Sequence, residues 1–292
     1  FDGVQLMAVY DAGSHEPMGL FYLDMYPREG KYNHFAQFGI VDGKRLPDGS
    51  YQRPTVALVC NFTPPSGDKP SLITHDELET LFHEFGHALH SILTRTEYAR
   101  FSGTSVPRDF VEAPSQMLEA WIWDTDILDG FAGHYLDPSK TIDGSVLERM
   151  EAARLATVAV AYRRQLALGL GDLRLHVSND VTDADATVDS AFADVFLPVP
   201  EDTGFAAYFG HLTGYDAGYY GYAWADAISA DMASVFEQAP GGLMDHDIGM
   251  RLRDEVYATG GARDVSESIR AFLGRERSLK PFLTKIGIDV DD

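Results

Sequence analysis

The sequence predicts a mainly α-helical protein with a small antiparallel β-sheet at its N-terminal end. Three observations predict it. Short apolar runs rich in Val, Ile, Phe and Tyr fill the first sixty residues, with turn-forming stretches between them. From Thr74 onward, apolar residues recur instead with the 3.6-residue helical period. No internal repeat, linker or low-complexity tract divides the 292 residues. One region over 1–292 is therefore expected, β-rich over 1–70 and helical over 71–292.

The expected strands are residues 4–10, 19–25, 35–41 and 56–62. The turns between them are residues 11–14, 27–30 and 47–50, and a Pro/Gly loop at 64–70 ends the sheet. A helix follows over 74–94, opened by a capping-box pair, Thr74 and Glu77. Leu78, Leu81, Phe82, Phe85, Leu89, Ile92 and Leu93 form its apolar face. Gly86 inside it costs about 1 kcal/mol relative to Ala, which suggests that another backbone comes close there. After an irregular connector at 100–109, a second helix is expected from Glu112 to about Leu128, with Pro114 tolerated in its first turn. Further helices are expected at 145–177, 183–196, 215–238, 248–258, 264–273 and 279–286.

A formal net charge of −22 argues against nucleic acid or an anionic membrane as partner. The single cysteine, Cys60, excludes an internal disulfide framework and suggests a reducing, cytoplasmic setting. No apolar run reaches the length of a membrane span. The start at Phe1-Asp2-Gly3, without Met, reads as a piece of a longer protein.

The helix at 74–94 contains His83-Glu84-Phe85-Gly86-His87. Residues four apart share a helix face, so His83 and His87 can present two imidazoles to one metal ion. Glu84 can reach a water held by that ion. This is the spacing of a zinc-dependent hydrolase with the glutamate as general base. A catalytic zinc needs a third protein ligand and an open position. His90 is too far to supply it, since seven residues of helix span about 10.5 Å; it is expected instead to hydrogen-bond a ligand from behind or to be a hydrogen-bonded core histidine. Glu112, Gln116 and Glu119 form a polar stripe on an otherwise apolar segment, where polar groups need partners. Glu112 is the expected third ligand. Glu119, deeper along the stripe, is placed to accept the N–H of a ligand histidine.

The stretches HEFGHALH and DFVEAPSQMLEAW resemble the zinc metallopeptidase family of thimet oligopeptidase, neurolysin and oligopeptidase A, which also includes bacterial peptidyl-dipeptidase. GLFYLDMYPREGKYNH, FGHLTGYDAGYYGYAWADAISADM and FLGRERSLKPFLTKIGI agree with it, so the likeness runs from about residue 18 to about residue 287. The resemblance implies a zincin-like catalytic domain forming the C-terminal portion of a channel-type oligopeptidase. It implies one zinc held by His83, His87 and Glu112, with Glu84 as base, acting on short unstructured peptides. It also implies that His211, Tyr215, Tyr219 and Tyr222 face substrate. Two departures stand out. Family members usually carry two glycines before the first tyrosine, where this chain has Gly214 alone. The family's helical N-terminal region is also missing from this chain.

Tyr215, Tyr219 and Tyr222 share a stripe if the segment is helical, with Gly214, Gly218 and Gly221 beside it. Such a stripe can be a packed core face or a mobile, substrate-facing one. Joined to the resemblance, it makes Tyr222 and Tyr215 the expected donors to the oxyanion or carbonyl. His211, Tyr219 and Gly214 become the expected substrate-positioning residues. The expected reaction is attack of a zinc-activated water on the scissile carbonyl, with Glu84 moving the proton to the leaving amine. The expected activity is that of a monomeric endopeptidase on short oligopeptides. The alternatives are a peptidyl-dipeptidase, or an inactive fragment that binds zinc and peptide. Cys60 reads as a buried small hydrophobe. His34 is the most noteworthy of the remaining histidines. Arg28 and Lys31 are exposed loop cations by default, or braces of their loop if they pair with acids.

Overall fold

The computed structural model describes residues 2–177 and 180–290. Residues 1, 178, 179, 291 and 292, which the expected region 1–292 also takes in, lie outside the described residues. The N-terminal part forms a four-stranded sheet of β1 (Gln5–Tyr10), β2 (Pro17–Asp24), β3 (Ala36–Val41) and β6 (Thr55–Val59), in the order β1-β2-β6-β3. A two-residue ladder, β4 (Lys44–Arg45) with β5 (Tyr51–Gln52), flanks the turn at 47–50. β1–β2 and β3–β6 are antiparallel, but β2–β6 is parallel. The sheet is thus mixed rather than wholly antiparallel. After β2 the chain reverses and leaves a strand-wide gap before β3, and β6 returns to fill it. Parallel neighbours need such a long connection.

Alternation along β6 decides which face is buried. Val56 and Leu58 point inward, and Cys60 and Phe62 continue the pattern beyond the strand; all four are essentially inaccessible. Phe21 meets Phe85 edge-on at 5.9 Å, so this inner face lies on the first helix. The loop after β2 is tied down by Lys31, whose side chain is 3% exposed. Its ammonium donates to the Asp24 carboxylate and to the carbonyls of Asp24, Tyr26 and Cys60. Arg28 donates to the same carboxylate at 2.7 Å. Both cations therefore brace the loop.

α1 (His75–Ile92) begins as its sequence specifies. Thr74 Oγ1 accepts from Glu77 N at 3.2 Å, and Glu77 Oε2 accepts from Thr74 N at 2.8 Å. The segment expected as one helix from Glu112 is instead α2 (Arg108–Val111), α3 (Ala113–Leu118), a 3₁₀ stretch (Glu119–Trp123) and α4 (Thr125–Asp129). Two residues cause the breaks. Pro114 has no N–H for the Phe110 carbonyl, so the chain bends at Glu112. Asp124 caps α4 by accepting from Asp126 N and Ile127 N, which ends the preceding turn.

α5 (Gly144–Val177) and α6 (Ala184–Val195) pack together, followed by the short α7 (Phe205–Tyr208). α8 (Tyr220–Glu237) starts five residues later than expected. α9 (His246–Leu252) runs into a π-helical turn, Arg253–Tyr257, and α10 (Val265–Leu273) and α11 (Lys280–Lys285) follow. The largest core joins Met117 to Ile228, Met232 and Phe236 of α8 and to Val256 and Phe272.

At Gly86 the backbones of α1 and α3 come close: an added Cβ would sit 2.6 Å from Ser115 Cα. Backbone cannot yield as a flexible side chain would. Gly86→Ala is therefore expected to lower stability by about 1–3 kcal/mol, despite alanine's better helix propensity. Denaturant unfolding checks this, and an unchanged midpoint would show that α3 can move away.

Candidate metal centre

α1 carries His83 and His87 one turn apart, and the bend between α2 and α3 carries Glu112 against them. The His83 and His87 rings are 4.9 Å apart and nearly perpendicular. His83 Nε2 lies 3.2 Å, and His87 Nε2 3.1 Å, from the same oxygen, Glu112 Oε2. Glu112 is 6% exposed. One ligand atom from each residue lies within 4.8 Å of the others. Donors bonded at about 2.0–2.1 Å around a tetrahedral ion stand roughly 3.3 Å apart, so this donor set fits zinc in both spacing and chemistry.

His83 Nδ1 stands 2.7 Å from Glu119 Oε1. The carboxylate accepts, so Nδ1 holds the proton and Nε2 is turned towards Glu112. Burial disfavours the His83 cation, but its contacts with Glu112 and Glu119 outweigh this and raise its pKa to about 10. Burial likewise opposes charge on Glu112, yet the two imidazoles hold its carboxyl well below the usual range. His90 stands apart. It is 1% exposed between Phe110 and Tyr257, and neither ring nitrogen has a hydrogen-bond partner among the described residues. Burial pushes its pKa down to about 3 and keeps it neutral. It is neither a ligand nor the hydrogen-bonded core histidine expected. Cys60 is buried, with its thiol pushed up to about 12 by burial. His34 is exposed, with its ring 5.5 Å from that of Tyr32 and its carbonyl accepting from Asn61.

Glu84, next to His83, is half-buried. The tyrosine segment lies across the centre. Tyr215 donates its hydroxyl to Glu112 Oε1 at 3.3 Å and to the Arg108 carbonyl at 3.2 Å. Its ring stacks on Tyr222 at 5.0 Å. Burial, and then the charge of Glu112, raises both phenols, and the charge of Glu84 also acts on Tyr222. Both hydroxyls keep their protons at neutral pH and can donate. His211 is exposed, with its ring 5.0–6.3 Å from those of Tyr219, Tyr222 and Tyr215.

Two expectations about this segment need correction. Residues 215–219 are not helical, so the three tyrosines do not form one helical stripe. Tyr219 is buried rather than open on the surface, although its ring lies 5.1 Å from that of Tyr222 and 5.0 Å from that of His211. It is 7% exposed in a core with Phe209 and Val188, and its hydroxyl donates to Gln165. Gly214 is exposed, and an added Cβ would meet nothing within 4 Å. Gly221 is where α8 approaches α2, since its Cβ would lie 3.1 Å from Asp109 Cα.

Sequence reasoning missed Arg108, whose guanidinium sits 5.3 Å over the Tyr215 ring, and Asp172, which holds the loop from α5. Asp172 was detectable: an acid following Ala167-Leu168-Gly169-Leu170-Gly171 on a packed helix needs partners, by the same reasoning that singled out Glu112. Beyond Glu119 and Gln116 a cavity of about 1110 Å³ opens, lined also by Tyr162, Arg154, Asp226 and Lys285.

The family model for peptidase family M3 matches residues 1–288. The chain is 43% identical to the thimet-like oligopeptidase of Dictyostelium discoideum over 282 residues, covering 95% of this chain and 42% of that protein. It is 39% identical to oligopeptidase A of Escherichia coli (strain K12) over 293 residues, covering 98% and 42%. The chain thus spans about two fifths of the length of these relatives. Among solved structures, one described as PZ peptidase A with inhibitor 2 superposes with a TM-score of 0.56 at 14% identity, covering 91% of this chain and 42% of that one. That likeness concerns the fold alone.

Proposed function

This chain belongs to peptidase family M3, and on that premise we propose that it is the catalytic region of a zinc-dependent oligopeptidase that hydrolyses bonds within short peptides. The observation that carries the proposal is the convergence of His83 Nε2 and His87 Nε2 on one buried Glu112 oxygen. His83, His87 and Glu112 would hold a single zinc, which when bound supplies Lewis acidity and makes water acidic enough to react at neutral pH. Glu84 takes the proton of the attacking water on its carboxylate and delivers it to the leaving amine. Glu119 holds the proton of His83 on Nδ1, which leaves Nε2 as the nitrogen that would give up its proton to bind metal. Tyr222 and Tyr215 donate their hydroxyls to the oxygen of the scissile carbonyl as negative charge develops there. His211, on the exposed side of the same aromatic group, orients the peptide. We also propose that residues 1–292 act as one region, cytoplasmic and monomeric, with peptides as partners. Among the described residues no helix is long and apolar enough to cross a membrane.

Arg108 favours a second reading. It is exposed beside Tyr215 and has no carboxylate within ion-pair distance among the described residues. A cation there could receive a terminal carboxylate, which would make the enzyme a peptidyl-dipeptidase. Product analysis on one peptide with free and amidated C-termini separates the two. Internal cleavage of both supports the oligopeptidase, and dipeptide release from the free form alone supports the alternative.

Tyr222→Phe tests the carbonyl donor. Loss of one such donor is expected to lower kcat by about 10²–10³-fold, with zinc content unchanged. Tyr215→Phe is expected to have a smaller effect on kcat, because the Tyr215 hydroxyl is already shared with Glu112 and Arg108. Steady-state kinetics on a quenched fluorescent peptide checks both, and an unchanged kcat in Tyr222→Phe would remove Tyr222 from the chemistry.

A further inference from the structure

The segment that carries Tyr215 across the metal centre is held by one buried carboxylate. Asp172 of α5 is 0% exposed. Its Oδ1 accepts from Ala217 N at 2.9 Å and its Oδ2 accepts from Tyr219 N at 2.9 Å. Those two amides flank Gly218. His176, one turn further along α5, places Nδ1 2.8 Å from the Asp172 carbonyl and 3.1 Å from Oδ1. The carboxylate is thereby fixed from its own helix as well as from the loop.

The loop needs such a hold. Ala217 has φ +53°, a left-handed conformation that an alanine adopts only when its surroundings impose it. Gly218 is buried, and an added Cβ would lie 3.2 Å from the Tyr215 carbonyl and 3.3 Å from its ring. The Tyr215 side chain therefore folds back over the backbone that Asp172 secures. In that position its hydroxyl reaches Glu112 and its ring stacks on Tyr222. Gly214 and Gly218, on either side of Tyr215, give the segment little stiffness of its own. Both Asp172 oxygens are used on the loop, and charge-assisted bonds of this kind are stronger than neutral ones.

We propose that Asp172 is the positioning residue that latches the tyrosine loop onto the metal centre, and so sets where Tyr215 and Tyr222 meet the scissile carbonyl. The role of the two tyrosines rests on the function proposed above; the latch itself does not. Asp172 acts through the loop and touches neither metal ligand nor substrate.

The test compares Asp172→Asn with Asp231→Asn. Asp231 is a similarly buried acid, held by Arg275 and Ser278 and placed about three turns along α8 from the loop. Asparagine keeps only one accepting oxygen, so one loop amide loses its partner. In Asp172→Asn, hydrogen exchange at the Ala217 and Tyr219 amides is expected to quicken roughly tenfold or more. Zinc content should stay at the parent value, and kcat should fall about tenfold or more with KM little changed. Asp231→Asn is expected to lower the unfolding midpoint while leaving loop exchange and kcat unchanged. Unchanged loop exchange in Asp172→Asn overturns the latch. So does a fall in kcat no greater than that of Asp231→Asn. A parent chain that binds zinc but does not turn over would overturn the proposed function instead, and faster exchange at the two amides would still support the latch.

Discussion

Glu84→Gln is expected to keep the parent's zinc content and to lose about 10²–10⁴-fold in kcat, the usual share of a general base. The substitution preserves shape and removes only the ability to take a proton. Glu84 makes none of the contacts that gather His83, His87 and Glu112, so the metal site should stay intact. Its charge bears on Tyr222, which places base and proposed carbonyl donor in one electrostatic neighbourhood. Kinetics on a fluorescent peptide, with metal analysis of the same preparation, measures both halves. Full turnover in the variant would sink the assignment of Glu84. Loss of zinc would mean that the residue has a structural part that the geometry does not suggest.

Glu112→Gln should act on the other half of the site. A neutral amide is a poor zinc ligand, and the change also removes the negative charge around which the cluster is built. Zinc affinity is expected to fall by more than about a hundredfold, beyond the 10–100-fold typical of an outer partner such as Glu119. The Tyr215 hydroxyl and Ser115 Oγ also reach this carboxylate, at 3.3 and 3.5 Å. The tyrosine loop should therefore loosen as the metal leaves. Competition with a chromophoric chelator measures the affinity. A change of less than about tenfold would show that Glu112 is not a ligand.

What was legible in the sequence was mostly local. The capping box of Thr74 and Glu77, the one-turn spacing of His83 and His87, and the need for a backbone-sized gap at Gly86 all lie within one helix, where sequence spacing fixes geometry. Glu112 and Glu119 were reachable because acids on an apolar segment must find partners. The rest depended on groups far apart in the chain. The parallel β2–β6 pairing is decided by where a later strand returns. Tyr215 and Tyr219 fit a helical spacing, but the Asp172 carboxylate takes the amides of Ala217 and Tyr219, and that segment stays non-helical. Tyr219 is then drawn into a core with Phe209 that no periodicity in its own segment could reveal. His90 looked like a residue that would find a hydrogen-bond partner, and its neighbours are two aromatic rings instead.

Zinc removal and return on the purified chain reaches the centre of the account most directly. Cleavage of a quenched fluorescent peptide should stop when a chelator strips the metal, and it should return in proportion to zinc added back, up to a single ion per chain. Cleavage that persists in the stripped protein would contradict a zinc-dependent reaction. So would a fully reloaded chain with no turnover, which would leave His83, His87 and Glu112 as a binding site without the hydrolysis proposed for it.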